Sequence, residues 1–414
     1  MNKGNSIRMR VSYFTSSYPR ATDTFIQREV LGLRNEGVEV FTSALRKPEG
    51  TNNVSELIRS ERENTTYFLP FKIFDLLRLN LQSLVKAPSK YFQTLYLSFK
   101  TGRPGIKGKL YQLFYFQEAL LLSSYLIENK IQHIHNHFGD SSGMVTMLAS
   151  QLSGVGYSIT FHGPHIFFEP TLLALSEKVK YAKFIVCISN YCKSQIMLFS
   201  DNKDWHKLHI VHCGVDIDTY SVAEPIAKIL SSEAIKLLYV GRLAAEKGVP
   251  VLLNSLISLK SEGFDFHLTL LGDGPERMAL EAKVKEQGLE NNVHFGGFAS
   301  QETVRKTLQN SDVFILPSFA EGVPVSLMEA MACGVPVIGT NVGGVTELIE
   351  HGVSGLVVSP SDEVSLKQAI LSYIENEQLR EKVKRDARKV IETQFNLDVE
   401  VTKLGKLIQK YQES

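Results

Sequence analysis

The sequence predicts an α/β protein of two domains, each built on a doubly wound parallel sheet. Its 414 residues suffice for two domains of about 150 to 200 residues each. Short apolar segments that suit buried strands alternate with helix-forming segments in both halves of the chain. In the second half, the strand-like run 313–316 leads into a loop, an apolar helix and a glycine stop. These features predict a ligand site at the carboxyl ends of parallel strands.

The composition describes a globular chain without a strong electrostatic preference. The chain is 43% hydrophobic and 21% charged, with a formal net charge of +1. This balance exerts no global attraction on nucleic acid, so we expect no nucleic-acid partner. The four cysteines lack metal-binding spacing, and no signal peptide is evident, which together predict buried thiols in a cytoplasmic protein. The cysteines are Cys187, Cys192, Cys213 and Cys333.

The N-terminal elements follow the pattern of a doubly wound domain. A strand is predicted over 8–14, then a loop and a helix from Thr24 to Asn35. Asp23 is a suitable N-cap and Gly37 a suitable stop. A second strand follows at 38–43.

Residues 67–110 differ in composition from the rest of the chain. They hold eight Lys or Arg residues against the single acid Asp75, a local net charge of +7, with aromatic residues interleaved. The pattern suits peripheral contact with an anionic membrane surface. An equally strong alternative is that the aromatic residues pack inside the domain while the lysines are solvated, and RNA binding is a weaker third. The apolar window 110–127 is interrupted by polar residues and predicts a buried or interfacial helix rather than a membrane span.

Two histidine-bearing strands follow in the first half. His133, His135 and His137 alternate along one predicted strand, about 6.6 Å apart, which is awkward for a single metal ion. We expect no metal there and expect His137 to open into a cleft. The next strand ends at His162, where Gly163 and Pro164 force a turn and direct the imidazole toward a ligand.

The second domain is predicted to contain six short strands between helices. Arg242 and Lys247 directly follow the first of them, where two fixed cations suit a diphosphate. Asp216 and Asp218 form a D-x-D pattern that lies in a linker setting and predicts no metal site. The strands are predicted at 236–240, 266–271, 293–295, 313–316, 335–338 and 355–358.

The segment 317–344 carries the strongest site prediction. Pro324 suits a first helical position, the helix runs from Val325 to Cys333, and Gly334 suits its C-cap. Free backbone N–H groups at such a helix start bind anions, and we expect a diphosphate. Glu321 in the loop and Glu329 inside the helix are eight residues apart, so we assign them to different parts of one elongated ligand.

The stretch EGVPVSLMEAMACGVPVIGTNVGGVTELI resembles the Glu-x7-Glu signature of glycosyltransferase family 4, retaining sugar-nucleotide transferases of GT-B fold. YVGRLAAEKGVPVLL, LLGDGPER and VHFGGF resemble further segments of this family. SSYPRATDTFIQREV, HIHNHF and ITFHGPHIF resemble its exopolysaccharide and colanic-acid type members. The resemblance spans nearly the whole chain.

The resemblance implies roles for particular residues. His162 would contact the donor sugar, and Arg242 and Lys247 would hold the diphosphate. Glu321 would contact the sugar hydroxyls and Glu329 the ribose. Many relatives carry Asp where this chain has His165, which leaves that residue without an assigned role. The remaining donor contacts would come from the backbone of Gly297 and Phe298, beside the nucleobase, and from Gly322, Val323, Val325 and Ser326.

The resulting prediction is a retaining, metal-independent hexosyltransferase without a cofactor. It would use a sugar nucleotide and a saccharide or lipid-linked saccharide acceptor in exopolysaccharide, capsule or lipopolysaccharide synthesis. Predicted domains are 1–222, with a basic aromatic helical segment at 67–129, and 223–394, with a final helix at 395–414 that crosses back to the first domain. Closure of the domains would complete the site. A GT-B sugar-nucleotide epimerase and a non-catalytic scaffold for polysaccharide assembly are the alternatives.

Overall fold

The structure is a computed structural model that describes residues 9–20, 23–48, 56–222 and 234–412. The chain forms two compact units. Unit 1 comprises the residues up to His212 together with those from Asp398 onward, and unit 2 comprises Cys213–Leu397. The sequence prediction divided the chain at 222/223 and 394/395 instead.

Unit 1 is built on a seven-stranded sheet whose strands are all parallel, in the order β3-β2-β1-β4-β5-β6-β7. The central strands are buried on both faces, as expected of a parallel sheet covered by helices. The strands are β1 Arg10–Ser17, β2 Glu39–Arg46, β3 Thr66–Tyr67, β4 His133–His137, β5 Gly156–Phe161, β6 Phe184–Cys187 and β7 Leu208–Ile210.

The helices of unit 1 agree with the sequence prediction where one was made. The first covers exactly the predicted residues, although the Asp23 side chain makes no capping hydrogen bond to it. The helices before the second unit are α1 Thr24–Asn35, α2 Glu56–Asn64, α3 Ile73–Lys86, α4 Pro88–Lys100, α5 Gly105–Glu128, α6 Ser141–Ser153, α7 Leu175–Tyr181 and α8 Asn190–Leu198.

Unit 2 contains a six-stranded parallel sheet in the order β10-β9-β8-β11-β12-β13. Each predicted strand is present, and every strand end lies within two residues of the predicted end. The strands are β8 Ile235–Val240, β9 Phe266–Leu271, β10 Val293–Gly297, β11 Val313–Leu316, β12 Val337–Thr340 and β13 Leu356–Val358. The helices are α9 Val249–Ser261, α10 Arg277–Glu286, α11 Gln301–Gln309, α12 Val325–Ala332, α13 Val345–Leu348, α14 Glu363–Glu375 and α15 Glu377–Gln394.

The C-terminal helix α16, Leu397–Gln412, packs within unit 1. Its buried residues Val401, Leu404 and Ile408 recur at helical spacing and form one apolar face. A Cβ at Gly32 of α1 would lie 2.8 Å from Val401 Cγ2, so the glycine permits the close approach of the two helices. Glu400 Oε2 accepts a hydrogen bond of 2.8 Å from the backbone N–H of His212.

The expectation for the apolar window 110–127 is confirmed. It lies within α5, whose C-terminal half is buried in unit 1. Among the described residues, no helix has the length and apolar character needed to cross a bilayer. The described cysteines are all free thiols, and Cys187, Cys192 and Cys333 are buried.

Candidate active site

The strand order of unit 2 reverses between β8 and β11, which places its switch point there. In open parallel sheets, ligands bind outside the carboxyl ends of the strands at such a point. The loops that follow these two strands, 241–248 and 317–324, hold Arg242, Lys247 and Glu321. The topology therefore brings the loop with Arg242 and Lys247 beside the loop with Glu321, which lies 74 residues beyond Lys247 in the sequence.

A close backbone contact joins the two loops. Phe319 N–H donates a 2.8 Å hydrogen bond to the carbonyl oxygen of Glu246. Gly248 has φ +62°, and a Cβ there would lie 2.1 Å from the carbonyl oxygen of Pro317. Only glycine satisfies both conditions, so Gly248 sets the distance between the loops.

This contact positions Lys247 beside Glu321. The Lys247 ammonium lies 2.7 Å from Glu321 Oε1, which also accepts a 2.6 Å hydrogen bond from the hydroxyl of buried Ser318. Within the described chain, the other carboxylate oxygen, Oε2, accepts no hydrogen bond. One oxygen is thus held in place while the second can accept from a ligand hydroxyl.

The backbone at Glu321 is fixed from the opposite side by the loop after β12. Gly343 has φ +54°, and a Cβ there would lie 1.8 Å from the carbonyl oxygen of Glu321. Gly344 N–H donates a 2.8 Å hydrogen bond to the carbonyl oxygen of Gly322. These contacts limit movement of the candidate carboxylate.

Arg242 has a different setting from Lys247. Its side chain is exposed, and among the described residues it forms no ion pair or side-chain hydrogen bond. Its backbone is fixed, since the Tyr239 hydroxyl donates a 2.8 Å hydrogen bond to the Arg242 carbonyl oxygen. The guanidinium is therefore available to an anion.

The helix after the Glu321 loop begins at Val325 as predicted and ends one residue earlier than predicted, with Pro324 before rather than at the first helical position. Pro324 is its N-cap, and the helix runs from Val325 to Ala332. N–H groups of a first helical turn have no partner within the helix, so those of Val325 and Ser326 suit an anion. Glu329 is 7% exposed, on the second turn. Gly322 and Val323 complete the loop before the proline.

The two residues predicted beside the nucleobase lie at the end of the edge strand β10. Gly297 ends the strand with φ +66°, and its carbonyl oxygen accepts a 2.8 Å hydrogen bond from Gly272 N–H. Phe298 is 57% exposed. An exposed aromatic ring at this edge suits stacking with a planar group.

The D-x-D pattern serves a local turn. Asp216 Oδ1 accepts hydrogen bonds from the backbone N–H groups of Asp218 and Thr219, at 3.0 and 3.1 Å. The Thr219 hydroxyl donates to Asp216 Oδ2 at 2.5 Å. These bonds account for Asp216 as a turn residue.

In unit 1, the corresponding switch point lies between β1 and β4. Here the prominent side chains are histidines. His133 Nε2 and His135 Nδ1 each lie 2.7 Å from the Ser158 hydroxyl, and His135 Nε2 lies 2.9 Å from the Thr160 hydroxyl. All three histidines of β4 are buried. The prediction that His137 opens outward is wrong, because its ring stacks against His162 at a centroid distance of 5.0 Å.

A hydrogen-bonded chain connects Glu29 of α1 to His162. His137 Nε2 lies 3.1 Å from Glu29 Oε1, and His137 Nδ1 lies 2.7 Å from His162 Nε2. The Tyr13 hydroxyl also donates to Glu29 Oε1, at 2.6 Å. While Glu29 is ionised, it accepts from His137 Nε2–H. Neutral His137 then accepts at Nδ1 from His162 Nε2–H, so His162 Nδ1 carries no proton when that ring is neutral.

Burial shifts the titration of this network. It lowers the pKa of His133 and of His137 to about 3, and lowers that of His135 well below its usual value. Burial also raises the pKa of Glu29, an effect opposed by nearby His135 and by the Tyr13 hydrogen bond. The β4 histidines are consequently neutral at physiological pH.

Glu29, His135 and His137 place potential metal ligands within 4.8 Å of one another in the described part of the chain. Both nitrogens of His135 already contact hydroxyl groups, and both of His137 contact Glu29 or His162. These bonds account for the cluster, and we base no metal site on it.

The strand predicted to end at His162 ends one residue earlier, at Phe161, and His162 directly follows it and is partly exposed. The side chain of His165 lies outside the described part of the structure. Sequence reasoning missed Glu29, which the periodicity of α1 does not distinguish from a solvated residue. It also missed Ser318, whose small size and position after β11 gave no signal of its contact with Glu321.

Two Rossmann-like domains with these strand orders have the GT-B fold. Residues 224–390 match the family of glycosyl transferases group 1, so this part of the chain is a group 1 glycosyltransferase domain. The match covers the loops that carry Arg242, Lys247 and Glu321 and the helix α12 that carries Glu329.

Individual relatives agree with this class. The amylovoran biosynthesis glycosyltransferase AmsK of Erwinia amylovora is 26% identical over 431 residues, covering 97% of this chain and 100% of the relative. The N-acetyl-alpha-D-glucosaminyl L-malate synthase of Bacillus anthracis is 27% identical over 325 residues, covering 71% of this chain and 84% of the relative. Among solved structures, Anabaena HepE in complex with UDP-glucose superposes with a TM-score of 0.75 at 17% identity, covering 97% of this chain and 100% of that one. This last likeness concerns the fold.

Proposed function

We propose that the protein is a retaining glycosyltransferase that moves a hexosyl group from a nucleotide-diphosphate sugar to a saccharide acceptor. The observation that carries the proposal is the Lys247–Glu321 pair, 2.7 Å apart at the switch point of a group 1 glycosyltransferase domain. An ammonium group has three N–H donors, so Lys247 can bind a phosphate oxygen while remaining on Glu321.

Each part of the donor finds a matching group in unit 2. Arg242 and the start of α12 hold the diphosphate together with Lys247. Glu321 Oε2 accepts hydrogen bonds from sugar hydroxyls, Glu329 accepts them from the ribose, and Phe298 and Gly297 border the nucleobase. HepE binds UDP-glucose, which supports a nucleotide-sugar donor of the same chemical class here.

We further propose that the reaction proceeds without a metal ion or a covalent intermediate. The acceptor oxygen bonds to the anomeric carbon on the face from which the diphosphate departs, and its proton passes to the departing phosphate. Arg242 and Lys247 stabilise the negative charge that develops on that phosphate. In unit 1, His162 accepts a hydrogen bond at Nδ1 from a hydroxyl of the saccharide substrate, in the tautomer that Glu29 and His137 impose.

A role in exopolysaccharide, capsule or lipopolysaccharide assembly is supported by the similarity to AmsK, whose name assigns it to amylovoran biosynthesis. The acceptor in this proposal is a lipid-linked saccharide, and the protein acts on the cytoplasmic side of the membrane.

The test is a panel of sugar nucleotides in thermal-shift and hydrolysis assays, without added metal and with EDTA. Glu329→Gln is compared with Glu286→Gln, an exposed glutamate on α10. We expect one donor to stabilise the wild type and release nucleotide diphosphate slowly, with both effects weakened only in Glu329→Gln. Dependence on a divalent ion would overturn metal independence. Release of an altered free sugar nucleotide without acceptor would indicate an epimerase. If no sugar nucleotide in the panel stabilises the protein or is hydrolysed, a non-catalytic scaffold would be favoured.

A further inference from the structure

Helices α3, α4 and α5 of unit 1 leave an unusual amount of apolar surface exposed. More than half of the large apolar side chains that the described residues expose lie between residues 73 and 114. Phe74 is 82% exposed, Ile106 81% and Tyr96 71%. Single exposed apolar residues are ordinary, but a cluster of this extent marks an interaction surface.

On α3, the exposed apolar residues form one stripe. They recur at spacings of three and four, so they lie on one side of the helix. The opposite side carries Leu76 and Leu79, which are buried, and Leu79 packs with Phe116 and Leu120 of α5. The helix therefore has a second apolar face beyond the one its core packing needs. The stripe consists of Ile73, Phe74, Leu77, Leu81, Leu84 and Val85.

The two following helices repeat this arrangement. On α4, Phe92, Tyr96 and Phe99 are exposed at spacings of four and three. The first turns of α5 expose Ile106, Leu110, Leu113 and Phe114, before the helix enters the core at Phe116. The three helices contact one another, so their stripes belong to one helical layer. We call this surface the α3–α5 face.

Basic residues border the stripes. Lys100 pairs with Glu177 at 3.0 Å and Arg103 pairs with Glu169 at 2.8 Å. Six further basic side chains are exposed and form no ion pair with any described residue, and the only acid between 67 and 110 is Asp75. These six are Lys72, Arg78, Lys86, Lys90, Lys107 and Lys109.

We propose that the α3–α5 face docks on the surface of an anionic lipid bilayer. Exposed aromatic and aliphatic side chains bordered by lysine and arginine match a surface with an acyl interior and a negatively charged headgroup layer. A second copy of this chain would bring two faces of like charge together, which opposes a symmetric dimer. The local charge of +7 occurs in a chain whose net charge is only +1, so this segment concentrates the positive charge.

The exposure also bears on the two earlier interpretations of this segment, core packing and membrane contact. Tyr67, Phe68 and Tyr91 are partly buried, as the core-packing alternative requires. Phe74, Phe92 and Tyr96 are instead exposed. The inference goes beyond the proposed transfer reaction and does not depend on it, because docking requires neither donor nor acceptor.

Co-sedimentation of the full chain with vesicles tests the docking. One vesicle is phosphatidylcholine alone, and the other is an equal mixture of phosphatidylcholine and phosphatidylglycerol. We expect binding to the mixed vesicle that weakens as salt is raised. The triple variant Arg78→Gln, Lys86→Gln, Lys90→Gln should bind at least about tenfold more weakly, since each basic residue near an anionic surface contributes a factor of about five.

A second triple variant, Phe74→Gln, Leu77→Gln, Leu81→Gln, removes apolar contacts while keeping helix-forming residues, and should also lose at least about tenfold in binding. The matched control is Met278→Gln with Val364→Gln, which changes exposed apolar residues of unit 2 and should bind like the wild type. Circular dichroism of each variant verifies the fold.

Three results would overturn the proposal. The first is that the wild type fails to sediment with the mixed vesicle. The second is that the two α3–α5 variants bind as the control does. The third is a wild-type dimer in sedimentation velocity that the apolar variant converts to monomer, which would assign the face to a second copy. Because none of these assays contains a sugar nucleotide, their outcome is separate from that of the transferase test.

Discussion

The two units share a strand order around their switch points but carry opposite chemistry there. Unit 2 presents charged groups, with Lys247, Glu321 and exposed Arg242 on glycine-shaped loops. Unit 1 presents neutral imidazoles, buried and linked to a single carboxylate, Glu29. The same topology therefore supports anion binding in one unit and directed hydrogen bonding in the other, and the residues at the strand ends decide which.

The largest effect should follow from Glu321→Gln, which replaces the charged partner of Lys247 by a neutral one of the same shape. We expect transfer to slow by about 10² to 10³, the range observed when one preorganised polar contact is removed. Steady-state kinetics measure the loss. Glu246→Gln changes an exposed glutamate next to Lys247 and should retain activity. An equal loss in both variants would mean that the negative charge near Lys247, and not the specific Lys247–Glu321 contact, determines activity.

Gly343→Ala should distort the charged site through the backbone. Gly343 and Gly352 both have positive φ, but only a Cβ at Gly343 meets another atom, the carbonyl oxygen of Glu321. Chemical denaturation should therefore show Gly343→Ala to be less stable than Gly352→Ala by about 1 to 3 kcal/mol. Donor affinity should fall in the first variant alone. Equal stability of the two variants would show that the loop around Gly343 can move to accommodate the added methyl group.

The neutral site of unit 1 should make stability sensitive to acid. His133 has its pKa lowered to about 3 by burial, whereas an unfolded histidine titrates near 6.5. The unfolded chain thus binds more protons between these values, so the free energy of unfolding falls as pH falls from about 6.5 toward 3, and this contribution is complete above 6.5.

The variant His133→Gln should therefore lose part of this acid sensitivity. The slope of the unfolding free energy against pH should decrease by up to about 1.4 kcal/mol per pH unit. Urea titrations at several pH values measure it. His206→Gln, which changes an exposed histidine, is the control.

The smallest expected effect concerns Glu29→Gln. The amide oxygen can still accept a hydrogen bond from the Tyr13 hydroxyl, but without the negative charge it selects the His137 tautomer with a proton on Nε2 less strongly. We expect the turnover number to fall by about fivefold with unchanged donor affinity. Burial raises the pKa of Glu29, so the wild type should lose activity as pH falls through that raised value, and the variant should lack this acid limb.

The pH profile of the turnover number provides that readout, and Glu63→Gln, an exposed glutamate of α2, is the control. An unchanged profile in Glu29→Gln would remove Glu29 from the positioning of His162.

Sequence reasoning recovered the features that depend on local pattern. Apolar runs bounded by glycine and proline located all six strands of unit 2, and the span of α1 followed from its expected cap and stop residues, Asp23 and Gly37. Contacts between residues far apart in the sequence could not be predicted in this way. The Lys247–Glu321 contact joins residues 74 positions apart, and the network from Glu29 to His137 joins residues 108 apart. Neither separation leaves a local signal.

Burial was the other quantity that the sequence did not determine. The alternation of β4 correctly placed three histidines on one face, but the covering of His137 by His162 depends on the neighbouring strand. Similarly, the composition of 67–110 was compatible with both a packed and an exposed segment. Only the packing of α3 against α5 shows which side of each helix remains outside.

The central claim is that a sugar nucleotide binds at the unit 2 switch point. Hydrogen–deuterium exchange of the full chain, with and without a saturating concentration of the donor found in the panel, tests it most directly. We predict slower exchange in the loops 242–248 and 319–327, which carry Lys247, Glu321 and the start of α12. Unchanged exchange in both loops, while the donor is bound, would contradict the account.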